Sequence, residues 1–167
     1  MSSYQITYTS SALAYKTEIE TALDRIAASS AESSLVMEFL KSPSCSLTLD
    51  LDLTDGPHTY GASVYDKVTN TVSIRLDDLV NGYYVENASS LTQADIDSGP
   101  GGSNKFIRYT LEEALYHEIL HYVDDALSPQ DGVVTTEHGN SNNSITDTAI
   151  DTVNKTFRDP NNLTSRD

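Results

Sequence analysis

From Thr110 the chain reads Thr-Leu-Glu-Glu-Ala-Leu-Tyr-His-Glu-Ile-Leu-His-Tyr-Val-Asp-Asp-Ala, and no other stretch constrains the fold as much. Thr110 with Glu113 forms a capping-box pattern, which satisfies the first amides of a helix. Leu111, Leu115, Ile119, Tyr122 and Ala126 then recur at helical spacing, and Ser128-Pro129 ends the run. A helix with one apolar stripe needs a second layer to bury it. Residues 46 to 53, Ser-Leu-Thr-Leu-Asp-Leu-Asp-Leu, supply that layer: strict alternation predicts a half-buried strand with one leucine face and one polar face.

The remaining segments are read around this pair. Tyr4 to Tyr8 alternates weakly and predicts a short strand. Ser10-Ser11 offers an N-cap for a helix through about Ala28, with Leu13, Ile19, Leu23 and Ile26 on one side, and Ala31 to Phe39 predicts a second, shorter helix. Strands are expected at Tyr60–Tyr65 and Thr71–Leu76, joined by Asp66-Lys-Val-Thr-Asn70. Residues 86 to about 105 form a long polar loop before the main helix, and a final helix is expected near Ser144–Phe157. With no repeat and no linker, residues 1–167 are read as a single α+β domain.

Charge narrows the function classes. Ten Lys and Arg stand against 25 Asp and Glu, a formal net charge of -15, and a field of that sign repels phosphate. Composition therefore argues against nucleic acid and anionic membrane surfaces as partners. No stretch approaches the ~18 apolar residues of a membrane span. The N-terminus shows neither a basic nor an apolar signal region, so the expectation is no Sec signal. Export by a signal-independent route and cytoplasmic residence both stay open. The lone Cys45 precludes an internal disulfide, and its leucine-rich neighbours favour a buried strand thiol over a nucleophile. Oligomeric state is not legible.

The chemistry lies in His117-Glu-Ile-Leu-His121, an HExxH motif inside the strong helix. Residues four apart share a helix face, about 5–6 Å apart at Cβ, so two imidazoles can converge on one zinc ion. Glu118, rotated about 100° from His117, reaches a neighbouring water without being a ligand and is placed as general base. The bland alternative is two histidines on a solvated helix face.

A catalytic zinc needs a third protein ligand and an open position. Asp124, Asp125, Glu137, His138, Asp147 and Asp151 follow the motif. The metzincin pattern is absent, because Asp124 replaces its glycine and Leu127 its last histidine. Asp124 and Asp125 are read as solvated residues at the helix end, although acids there oppose the helix dipole, and a bond to a ligand imidazole would compensate. Asp147 and Asp151 mimic the spacing of the Glu-x-x-x-Asp helix of thermolysin-like enzymes. For the oxyanion, Tyr83, Tyr84, Tyr116, Tyr122, His138 and Arg158 are all candidates.

Tyr116-His-Glu-Ile-Leu-His-Tyr-Val-Asp124 resembles the zincin helix of the NleD-like type III secretion effector zinc metallopeptidases and their relatives in larger bacterial exoproteins. Thr136-Glu137 resembles the family's ligand-bearing glutamate stretch. Asp151-Thr-Val-Asn154-Lys-Thr-Phe-Arg158, followed by Asp159-Pro160 and Arg166, is similar to its Glu-Asn-x-x-Arg and Pro-x-Arg ending. Val64-Tyr65-Asp66 with Ser73-Ile74 resembles the strand pair before its active-site helix, so the likeness spans about residues 58 to 167.

The resemblance implies a zincin-like α+β fold, with a small mixed or antiparallel sheet, an active-site helix and a C-terminal helix. It implies Zn²⁺ as cofactor, His117, His121 and Glu137 as ligands, Glu118 as base, and a protein or peptide substrate. The loop between His121 and Glu137 is shorter than the family's and His138 follows the glutamate, so His138, Asp147 and Asp151 stay beside Glu137 as third-ligand candidates. Two rival expectations are a zinc hydrolase of a non-peptide or small amide substrate and a non-catalytic zincin-like binding module. An intact Glu118 speaks against the second, since a structural zinc site needs no base.

Overall fold

A computed structural model describes residues 3–52, 63–75, 92–94, 110–127 and 152–163. Four strands form one mixed sheet: β1 (Thr7–Tyr8), β2 (Thr48–Asp52), β3 (Ser63–Asp66) and β4 (Thr71–Arg75), in spatial order β1-β2-β4-β3. β1 and β4 both run parallel to β2, whereas β3 pairs antiparallel with β4. The helices are α1 (Ser10–Leu13), α2 (Lys16–Ala27), α3 (Ala31–Phe39) and α4 (Leu111–Leu127). The expected α+β class holds.

The alternating leucine run behaves as its pattern requires. Leu47, Leu49 and Leu51 are buried with Val72 and Ile74 of β4, while Thr48, Asp50 and Asp52 keep partial exposure. This apolar face joins one core with Ile19, Leu23 and Ile26 of α2 and Leu115 and Ile119 of α4. Between β3 and β4 the Asp66 carboxylate accepts from the Val68 amide and the Thr69 hydroxyl, each at 2.9 Å. The Thr69 bond, then the Val68 bond, hold its pKa below the usual range. Asn70 closes the turn at φ 50°, a left-handed conformation that asparagine tolerates.

One expected helix is two. Thr9, rather than Ser10 or Ser11, caps α1, and its hydroxyl also donates to Asp50 on β2 at 2.6 Å. That bond anchors the cap to the sheet. Tyr15 then leaves helical geometry (φ -113°, ψ 17°) before α2 begins, and the break shifts the helical phase. Ala12 is buried as a result, while Leu13 is 58% exposed instead of joining the apolar side. α3 keeps its expected bounds, opened by a capping box between Ser30 and Ser33.

Of the expected final helix, the described part is Thr152 and Val153 in α conformation followed by a π-helical turn, Asn154–Arg158. The Asp159 amide donates to the Asn154 carbonyl at 2.8 Å, the five-residue closure of such a turn. It brings Thr156, Phe157 and Arg158 into the interior.

Candidate metal centre

α4 is buried on every side from Glu113 to Asp124. Thr110 starts it: its hydroxyl accepts from the Glu113 amide at 3.3 Å and its carbonyl from the Ala114 amide at 3.0 Å. The Glu113 carboxylate, assigned by its spacing to the capping box, is instead engaged by the buried Arg158 guanidinium. Glu113, His117, His121 and Asp124 are spaced four, four and three residues apart, so they form one polar stripe along the embedded helix.

His117, Glu118 and His121 are only 4%, 6% and 5% exposed. That burial removes the solvated-face reading of the two histidines. Their Nε2 atoms lie 3.3 Å apart, with ring centroids 5.0 Å apart and planes at 76°. Two imidazole nitrogens each about 2.0–2.1 Å from a tetrahedral zinc stand about 3.3–3.4 Å apart, so the pair already has the bite of such a site. Glu118 Oε1 lies 4.0 Å from His117 Nε2, beside the convergence point. A buried carboxylate, Glu118, beside two convergent imidazoles suits a dication.

Asp124 is the clearest departure from expectation. It is 6% exposed rather than solvated, and neither carboxylate oxygen has a hydrogen-bond partner among the described residues. Asp125 is half-buried, receiving the Tyr65 hydroxyl at 3.2 Å and the Lys67 ammonium at 3.3 Å. The spacing that puts Asp124 on the histidine stripe is visible in the sequence. The burial is not, because it comes from what packs over the end of α4.

Three oxyanion candidates have other tasks. Arg158 pairs with Glu113. The Tyr116 hydroxyl shares a hydrogen bond with Thr156 at 2.7 Å, and burial pushes its pKa up to about 12. The Tyr122 hydroxyl accepts from the Ser46 amide at 2.8 Å and lies 4.0 Å from the half-buried Cys45 sulfur. Tyr83, Tyr84, Glu137, His138, Asp147 and Asp151 lie outside the described residues. Among the described residues no third His, Cys, Asp or Glu completes a three-donor group, and no helix there is long and apolar enough to cross a membrane. Comparison with protein-family models, curated proteins and solved structures finds no match to the chain.

Proposed function

We propose that the chain is a zinc-dependent metalloendopeptidase of zincin type, related to the NleD-like effector peptidases. The observation that carries the reading is the 3.3 Å approach of the His117 and His121 Nε2 atoms, with Glu118 buried at their side. Zinc bound by such a pair supplies Lewis acidity, polarising a carbonyl and acidifying a water. His117 and His121 are the two ligands from α4, and Glu137 is the proposed third. Glu118 takes the proton of the attacking water and returns it to the leaving amine. The burial of α4 holds both imidazoles and the carboxylate in fixed rotamers and keeps bulk water away from them.

Support for a peptide substrate over a small amide comes from the sheet. β3 is one of its two edge strands among the described residues, and the Tyr65 and Lys67 bonds to Asp125 hold the β3–β4 hairpin against α4. An extended peptide can add to such an edge through main-chain hydrogen bonds.

The test is metal content with turnover. The purified full chain is expected to retain about one equivalent of zinc and to cleave an unfolded protein substrate. A chelator should abolish cleavage, zinc should restore it, and His117→Ala should lose both properties. A wild-type chain that holds no zinc overturns the reading. A zinc-loaded chain inert on polypeptides but active on small amides overturns the peptidase assignment alone.

A further inference from the structure

We propose that Asp124 is a positioning residue for the histidine pair, its carboxylate acting through His121 as counter-charge to a divalent cation held by His117 and His121. The inference deepens the metallopeptidase reading and rests on it. A buried carboxylate without a partner is costly, so a fold retains one where the site supplies an opposing charge. Asp124 is 6% exposed, and neither of its oxygens is hydrogen-bonded to a described residue. Its place near the C-terminal end of α4 adds to that cost, since the helix dipole is negative there.

Its neighbour supplies the contrast. Asp125 meets Tyr65 and Lys67, so this end of the helix does provide partners for an acid whose task is structural. Asp124, about 100° around the helix from Asp125, falls by its spacing on the stripe of His117 and His121. It lies three residues beyond His121, about 5–6 Å away at Cβ, and helical side chains lean toward the N-terminus. Helical spacing therefore sets Asp124 beside the turn that carries His121, and no hydrogen bond joins the two in this structure. The short side chain does not reach the convergence point as a ligand, consistent with the absence of a three-donor group among the described residues. A carboxylate behind a ligand imidazole raises its basicity and steadies its orientation.

The experiment uses the full chain as wild type, Asp124→Asn and Asp124→Leu. Zn²⁺ affinity is measured by competition with a chromogenic chelator, Co²⁺-loaded protein by its visible absorption, and metal-free protein by thermal unfolding. Asp124→Asn is expected to weaken Zn²⁺ binding by about 10–100-fold and to alter the Co²⁺ bands. Metal-free Asp124→Asn and Asp124→Leu should melt at or above the wild-type temperature, because an uncompensated buried charge has been removed. Wild-type affinity and an unchanged Co²⁺ spectrum in Asp124→Asn overturn the proposal and leave the metal centre standing. Metal-free variants that melt well below wild type also overturn it, since the carboxylate is then structural. A wild-type chain that binds neither metal removes the metal-centre reading and this one together.

Discussion

Arg158, at the end of the π-helical turn, donates through Nη1 to the Glu113 carboxylate, and both side chains are buried. Glu113 lies one turn before His117 on the same face of α4, so this ion pair ties the C-terminal segment to the stripe that carries the candidate metal ligands. Removing one partner leaves the other charged in the interior. Arg158→Met or Glu113→Leu alone is expected to cost about 3–5 kcal/mol in denaturant unfolding. The double variant should recover most of the loss. Additive losses would show that the pair does not act as a unit.

In the proposed function Glu118 transfers a proton rather than binding the metal. Glu118→Gln should keep wild-type zinc content and thermal stability while lowering cleavage by at least about 10²-fold. Zinc analysis beside a cleavage assay separates the roles: turnover near wild type refutes the base, and lost zinc makes Glu118 a ligand.

The third ligand is a choice among named residues. Glu137→Ala should reduce zinc affinity strongly, as should His117→Ala and His121→Ala, while His138→Ala, Asp147→Ala and Asp151→Ala should not. If one of the latter three is the variant that loses zinc, the ligand set is redrawn around it.

Alkaline pH acts through buried tyrosines. Burial, the first cause in each case, raises the pKa of Tyr4, Tyr8, Tyr65 and Tyr116, the last to about 12. An unfolded tyrosine releases its proton near pH 10, so above that pH the folded chain binds more protons than the unfolded one. Stability should be unaffected by these groups below about pH 10 and fall steadily as pH rises above it. Melting temperature followed with tyrosinate absorbance tests this. Tyr116→Phe should lose about 0.5–1.5 kcal/mol at neutral pH, with its Thr156 hydrogen bond, and show a shallower alkaline slope. A slope as steep as wild type's would remove Tyr116 from the effect.

The Thr9 hydroxyl makes three bonds at the start of α1, with the Ala12 amide, Asp50 and the Ser11 hydroxyl. Thr9→Ala should cost about 1 kcal/mol or more by chemical denaturation, and Thr9→Ser should recover most of it. No loss in the alanine variant would mean that Ser11, which also donates to Asp50, suffices.

Local pattern determined a good part of this protein. Alternation at Ser46–Leu53 settles which faces of β2 are buried, because strand side chains alternate by geometry alone. The bounds of α3 follow from its capping serines, and the likelihood of a paired-imidazole site follows from a four-residue spacing that any α-helix imposes. Tertiary structure decided the rest. The break between α1 and α2 depends on a hydroxyl that bonds a strand 41 residues away. Glu113 leaves its capping-box role for an arginine 45 residues away in sequence, a pairing that no local spacing encodes. Asp124 and Asp125 are adjacent acids of one type, yet one is buried on the histidine stripe and the other meets Tyr65 and Lys67. Sequence places the two on different faces of a helix. Only packing determines which face is deprived of water, and burial is what makes an unpaired carboxylate costly.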